Sequence, residues 1–588
     1  MSYVIATATR QSYFVSPPCI IRAPAKRDRN MNRLHRVAIA CLFAALAVAG
    51  LAALPVHAED EPVSLRILAI NDFHGNLKPP PSGIRVADPN DPTKSTQVPA
   101  GGAAQMASLV KLLTDGQPNT IFVAAGDLIG ASPFLSAMFH DEPTIESMSQ
   151  MGLALSAVGN HEFDEGKDEL LRMQNGGCHP TDGCRGPQPF TGAKFHYLAA
   201  STFLKGTDKT VFPPYEIRTF EDIPVAFIGL TLKGTAGIIS PASAAGLEFR
   251  NEAESINALI PELKAKGVQA IVVLIHEGGW PSGGMNECPG LSGPIVDIVK
   301  DLDSAVDIVI SGHTHQAYVC TIDKRLVTSA DKFGTLVTAI DVKLDRTTRD
   351  VISTSATNIV VDATLPKDPT QTALIDAYEK LAAPIANRPA GVITQVLSRL
   401  PNAAGESVLG DVIADAQLAA TSAPDKGGAV IAMTNPGGIR TDLARRDDGA
   451  VSYGDVFASQ PFRNQLVTVA LTGAEIKAAL EQQWLDPARP RILQISRGFA
   501  YAFDAKQPAG ARIDSASMTL NGKPIDPAAS YRVTLNNYLA LGGDGFTTFK
   551  SGRAPIVGPY DDEALFSYLK ANSPLAPPPR DRIVNKAP

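Results

Sequence analysis

The run Val158-Gly159-Asn160-His161-Glu162-Phe163-Asp164-Glu165-Gly166 follows directly on the apolar stretch 153–158. An apolar run that ends abruptly in Gly-Asn-His reads as a buried strand emptying into a loop, and in α/β proteins such loops carry the chemistry. Taken alone, the run is equally a Gly-Asn turn that opens a helix with acidic first residues. Four further stretches of the same kind remove the ambiguity. Residues 65–70 end in Asn71-Asp72-Phe73-His74, 120–125 in Gly126-Asp127, 270–275 in His276-Glu277-Gly278-Gly279, and 306–310 in Ser311-Gly312-His313-Thr314-His315. One more strand is expected at 224–230, and helices at 101–113 and 252–266. Apolar strands alternating with helices predict a layered α/β core with its site at the strand ends.

With 588 residues the chain exceeds what one hydrophobic core supports, so two or more domains are expected. A net charge of -7 gives no reason to expect binding of nucleic-acid polymers or anionic membranes by bulk electrostatics. An anionic substrate must be gripped locally. Residues 31–36 form a basic segment, 37–54 an apolar one, and Val56-His57-Ala58 a small-x-small site, the pattern of a secretory signal over 31–58. Residues 1–30 before it resemble neither signal nor domain. Export to the periplasm or medium, with no stable membrane anchor after cleavage and a monomeric product, is the expectation.

Of six cysteines, Cys19 and Cys41 fall in this leader region, leaving Cys178, Cys184, Cys288 and Cys320. An even number in an exported chain suggests two disulfides. Cys178 and Cys184 bracket a short Gly/Pro/Asp-rich loop and favour local pairing, with Cys288 to Cys320 as the second bridge. A zinc site is the alternative, although the spacings resemble no zinc knuckle.

Downstream of the strand-end motifs, 359–390 turns to Pro, Asp and Ala around an expected helix at 371–382 and reads as a linker. The first domain then spans 60–358 and a second 391–575, opened by a helix at 409–421, with 576–588 as a Pro-rich tail. All ten histidines lie at or before His315, which assigns any metal chemistry to the first domain. A single histidine after a strand is more often structural than a ligand. Five motifs that jointly supply carboxylates, imidazoles and an amide oxygen suit two borderline-hard divalent ions.

These motifs, DxH at Asp72 to His74, GD at Gly126-Asp127, GNHEFD at Gly159 to Asp164, the strand-end His276, and GHTH at Gly312 to His315, resemble those of the calcineurin-like metallophosphoesterases. The two-domain layout is similar to the secreted 5'-nucleotidase branch. The resemblance implies an α/β-β/α sandwich domain followed by a second α/β substrate-binding domain. It implies Asp72, His74 and His315 on one metal, Asn160, His276 and His313 on the other, and Asp127 bridging both. It also implies attack on a nucleotide phosphate by a water between two ions of Mn, Zn, Co or Fe. His161, oriented by Asp164, would donate a proton, and Glu162 reads as support for the ligands or a helix cap.

In the second domain, Asn435-Pro436-Gly437-Gly438-Ile439-Arg440 resembles the family's phosphate-contact segment, with Asn435 and Arg440 as the contacting residues. Phe462 and Tyr538 match its base-sandwiching aromatic pair, and Asp544 its ribose-contacting acid. One departure stands out. The phosphate-gripping arginine expected just before Glu406 is replaced by Ala403-Ala404-Gly405, and the nearest substitute is Arg399, seven residues upstream. The expected activity is therefore 5'-nucleotidase-like phosphohydrolysis. A 2',3'-cyclic-nucleotide 2'-phosphodiesterase with 3'-nucleotidase activity, or a UDP-sugar hydrolase, could be built from the same parts. A dimanganese thiohydrolase of sulfur oxidation and a non-catalytic nucleotide-binding protein are remoter. The paired aromatics weigh against the first of these and the intact ligand set against the second. Because the two sites lie on different domains, the resemblance also implies domain rotation during turnover.

Overall fold

The computed structural model describes residues 61–587 apart from 82, 89 and 90. The extension at 1–30 and the signal expected at 31–58 lie outside the described residues. Among those described, no helix is long and apolar enough to cross a membrane.

Two six-stranded sheets form the first lobe. In one, the strands Val63–Ile70, Thr120–Ala124, Leu153–Ala157 and His196–Leu198 run parallel, and Leu336–Leu344 and Val351–Val360 add an antiparallel edge. In the other, Ile223–Thr231, Ala270–His276, Ile308–Ser311 and Arg325–Ala330 are parallel, with antiparallel Tyr215–Phe220 and Ala317–Ile322 outside them. The inner faces meet in one apolar layer containing Leu65, Ile67, Val123, Leu155, Phe227, Val272, Leu274 and Ile310. Helices cover the outer faces, so both faces of the central strands are buried. Their non-alternating apolar sequences follow from this, each buried aliphatic side chain contributing roughly 1.5–3 kcal/mol. Every expected strand and helix of this lobe is present, with ends moved by a few residues.

The helix expected at 371–382 runs over Pro369–Ala386, capped by the Asp368 carboxylate, which accepts from the backbone N–H groups of Thr370 and Gln371. It is packed on both sides. Tyr378 lies edge-on to Phe139 of the first lobe at 4.8 Å and shares an apolar cluster with Tyr453 and Phe457 of the second.

The second lobe holds a five-stranded mixed sheet and a four-stranded one, with the helix Val408–Thr421 opening it. The segment 576–588, expected to be a Pro-rich tail, is instead part of the lobe. Ile583–Asn585 pairs in parallel with Phe499–Phe503 and completes the four-stranded sheet. Arg582 makes a two-pronged ion pair with Asp415, at 2.8 and 2.9 Å, beneath which Glu406 accepts from its backbone N–H. The prolines at 574 and 577–579 mask a return strand whose partner lies some 80 residues earlier, a pairing that local composition does not reveal. Both disulfides take the expected pairing, Cys178 with Cys184 and Cys288 with Cys320.

Candidate active site

Three of the five strand-end motifs turn sharply as they leave their sheets. Asp72, His74, Asp127, His313 and His315 all adopt positive φ, between 47° and 68°. Non-glycine residues take this conformation rarely, and clusters of it mark sites where function over-determines the backbone. Glycine is required beside them. A Cβ on Gly159 would sit 2.1 Å from the Asp127 carboxylate, and one on Gly126 would sit 2.7 Å from the Gly159 backbone nitrogen.

The turns bring three groups together. Asp72, His74 and His315 form one set, Asp127, His276 and His313 a second, and His74, Asp127 and His161 a third, each with donor atoms within 4.8 Å of one another. His315 Nε2 is 3.3 Å from Asp72 Oδ1, His276 Nε2 is 2.9 Å from Asp127 Oδ2, and His74 Nε2 is 3.7 Å from the same Asp127 oxygen. Asp127 thus stands between the two clusters.

The donor chemistry fits divalent ions. Asn160 Oδ1 is buried without a hydrogen-bond partner among the described residues, while Asp72 Oδ1 and His276 Nε2, equally buried, face only His315 Nε2 and Asp127 Oδ2, fellow members of the cluster, without forming well-aligned hydrogen bonds. An unpartnered buried polar atom is costly unless a ligand completes it. The remaining atoms of the same side chains are pinned. Asp72 Oδ2 accepts from Asn71 Nδ2 at 2.7 Å and His313 N at 2.9 Å. His74 Nδ1 faces Gly130 O at 2.9 Å, and His276 Nδ1 faces Ala125 O at 2.8 Å, which turns both Nε2 atoms towards the cluster. Burial drives His74 and His315 below the usual histidine range and His313 to about 3, leaving neutral rings with a lone pair to donate.

Glu162 does not enter the cluster. Its buried carboxylate accepts from the backbone N–H groups of Asp127, Leu128 and Gly159, at 2.9, 2.7 and 2.6 Å, and so ties two strand-end loops together. His161 Nδ1 lies 2.8 Å from Asp164 Oδ2, and His161 N donates to Asp127 Oδ1 at 2.9 Å. Burial disfavours charge on the ring, but Asp164 and Asp127 outweigh it and raise its pKa.

The second lobe contributes to the same cleft. Phe462 lies 5.8 Å from His161, with ring planes 21° apart, and the Arg440 guanidinium is 5.9 Å from the Phe462 ring. Arg440 is depressed first by burial, while Asp127 and Asp164 act to raise it and nearby Arg399 to lower it. Arg399 and Arg440 both line an interlobe cavity of about 1260 Å³, together with Gly75 and Phe333. Tyr538 and Phe462 make no ring contact with each other. The Tyr538 hydroxyl donates to Asp544 Oδ1 at 3.0 Å, and Asn435 Nδ2 donates to Asp544 Oδ2 at 2.8 Å. Asn435, Tyr538 and Asp544 therefore form one connected group, with Arg440 and Phe462 facing His161.

Two residues of the site had escaped the sequence reading. Asn71 holds the loop at 330–331 through Asp331 O and Ala330 N, both at 2.7 Å, while steadying Asp72. Phe333 packs edge-on against His74 and His315 at 5.9 and 5.7 Å. Asn71 could have been found as the polar residue that opens the DxH turn, whereas Phe333 belongs to no motif.

A four-layer α/β-β/α lobe with carboxylates and imidazoles gathered at its strand ends defines a metallophosphoesterase fold. The calcineurin-like phosphoesterase family profile matches residues 65–317, and that of the 5'-nucleotidase C-terminal domain matches 384–551. The chain belongs to the calcineurin-like phosphoesterases that carry this C-terminal domain. It is 33% identical over 530 residues to the endonuclease YhcR of Bacillus subtilis, covering 90% of this chain but 41% of that protein. It is 31% identical over 544 residues to the cell wall protein Lmo0130 of Listeria monocytogenes, covering 86% of this chain and 67% of the other. The chain thus spans less than half the length of the Bacillus relative. Among solved structures, a 5'-nucleotidase precursor from Thermus thermophilus superposes with a TM-score of 0.72 at 27% identity, over 89% of this chain and 100% of that one.

Proposed function

We propose that the protein is an exported phosphohydrolase that removes phosphate from nucleotides, of the 5'-nucleotidase type. The observation that carries this reading is the meeting of the Asp72/His74/Asp127/His276/His313/His315 cluster with Arg440 and Phe462 in one cleft. Asp72, His74 and His315 would hold one divalent ion and Asn160, His276 and His313 a second, with Asp127 shared. When bound, such ions polarise a phosphoryl group and lower the pKa of water.

The other steps belong to side chains of this chain. Arg440, with Arg399 beside it, neutralises the phosphate and fixes its orientation. His161 in its cationic form presents Nε2–H as the proton donor to the departing oxygen, while its Nδ1–H donates to Asp164, whose charge favours that cation. Phe462 covers the His161 ring and excludes water from the reacting centre. Asn435, Tyr538 and Asp544 form the polar end of the cleft that would receive the nucleoside.

A second reading is hydrolysis of nucleotide sugars, for which an interlobe cavity of about 1260 Å³, lined by Arg399 and Arg440 but by none of Asn435, Phe462, Tyr538 or Asp544, would offer room for a further group beside the phosphate contacts. The deciding experiment assays AMP, 3'-AMP, 2',3'-cyclic AMP and UDP-glucose with added Mn or Zn. Release of phosphate from AMP above all others supports the first reading, preference for UDP-glucose supports the second, and no turnover of any would sink both. Export, with the two disulfides in its favour, is tested by sequencing the N-terminus of the secreted or periplasmic product, which should begin near Glu59.

A further inference from the structure

Three histidines lie outside both the leader and the strand-end motifs, and two of them meet. His140, at the turn before helix Glu142–Met151, stacks on His179 inside the Cys178–Cys184 loop, with ring centroids 3.8 Å apart and planes within 5°. Glu165, next in sequence to Asp164, reaches both rings. One of its oxygens lies 2.9 Å from His140 Nδ1 and 3.9 Å from His179 Nε2. Donor atoms of His140, Glu165, Glu169 and His179 all fall within 4.8 Å of one another.

We propose that this cluster is a third divalent-cation site, separate from the catalytic centre and able to hold zinc, with His140, His179 and Glu165 as its protein ligands. Two imidazoles and a carboxylate are the ligand types zinc prefers, and tetrahedral zinc with bonds near 2.0–2.1 Å separates its ligand atoms by roughly 3.3 Å. In the stacked arrangement one Glu165 oxygen already lies 2.9 Å from one imidazole nitrogen and 3.9 Å from the other, so side-chain rotation alone brings the three to that separation. His140 also has the outer partner expected of a ligand. Its Nε2 faces Asp182 Oδ2 at 2.9 Å, leaving Nδ1 for an ion, in the carboxylate–histidine arrangement common at zinc sites. Glu169 is held by Arg172 through both oxygens and serves as nearby negative charge.

Binding demands two changes. The His140 Nδ1 proton must leave, and the His179 ring must turn out of the stack, giving up the bond its Nδ1 accepts from Asp182 N. The Glu165 side chain is about half exposed, at 49%, which gives an ion access. An ion here would fasten the disulfide loop to the loop that carries His161 and Asp164, so the site has a structural task that the catalytic centre does not supply.

The test is metal stoichiometry on the full protein, dialysed against micromolar zinc and measured by plasma mass spectrometry. The wild type should hold three equivalents per chain and the pair H140A/H179A two. A crystal of the zinc-loaded wild type should show an anomalous peak among His140, His179 and Glu165. Should the double variant fail to fold, H179Q alone, with the same two readouts, should still lose the third equivalent. Two equivalents in the wild type, or a third that persists in the variants, would overturn the proposal.

Discussion

Phe462 of the second lobe covers the ring of His161 in the first, the two planes 21° apart at 5.8 Å. An aromatic residue expected to grip a base therefore also shapes the surroundings of the proton donor. F462A should lower kcat for a simple aryl phosphate as well as raise KM for nucleotides. Y538A, whose ring touches Asp544 and not His161, should raise KM for nucleotides alone. Steady-state kinetics on AMP and p-nitrophenyl phosphate separates the two, and identical profiles for the variants would refute the division.

The charge on His161 depends on Asp164. A protonated donor is lost as pH rises through its pKa, and Asp164 is among the groups that raise that pKa against burial. In D164N the alkaline limb of the kcat profile should move to lower pH, with the rate at neutral pH down by roughly 10²-fold for poor leaving groups. An unmoved limb would remove Asp164 from this role.

Glu162 should behave as a brace. E162A frees three buried N–H groups and should cost about 3 kcal/mol of stability, since a buried donor left unsatisfied costs roughly 1–3 kcal/mol and the three losses do not add fully. Chelator competition should show metal affinity weakened by roughly 10–100-fold, as for other residues that orient ligands. Normal metal retention in E162A would contradict this.

Arg399 and Arg440 make separable predictions. R440A should reduce kcat/KM for nucleoside monophosphates by roughly 10²-fold or more, through loss of a charge-assisted phosphate contact. R399A should give a smaller loss in the same direction if it substitutes for the clamp missing before Glu406. No change in R399A would assign phosphate binding to Arg440 alone.

Stability should decline from acid to neutral pH through Asp561. Burial, reinforced by the charge of Asp562, lifts its carboxyl to about 8. Between about pH 4 and 8 the folded chain keeps a proton that the unfolded chain has released, so stability falls as pH rises across that window and the loss is complete above it. Thermal melts from pH 5 to 8.5 should show D561N declining less than the wild type. Parallel curves would refute it.

The first lobe was readable in the sequence because its strands are buried on both faces and end in Gly-flanked polar turns. Asp72, His74, Asp127, Asn160, His276, His313 and His315 stand out for that reason; the structure brings the carboxylates and imidazoles of this set within reach of one another and buries Asn160 Oδ1 without a partner among the described residues. Other features depend on distance in space. Phe333 enters the site from a loop with no motif, held by its N–H bond to Asp72 O. The relation between Phe462 and Tyr538 is set by where two separate loops of the second lobe come to rest. Local composition carried none of this, and it made the returning strand Ile583–Asn585 look like a tail.

That returning strand bears on how the chain is made. Glu406, Asp411 and Asp415 lie buried around Arg582, and Asp411 already sits at about 8 through burial, even with Arg582 drawing it down. Until residues 582–585 have left the ribosome, Asp415 lacks its ion-pair partner, Glu406 lacks the backbone N–H of Arg582, and the four-stranded sheet lacks an edge. The second lobe can close only after synthesis has passed this point, while the first lobe has every strand it needs some 220 residues earlier, at Val360.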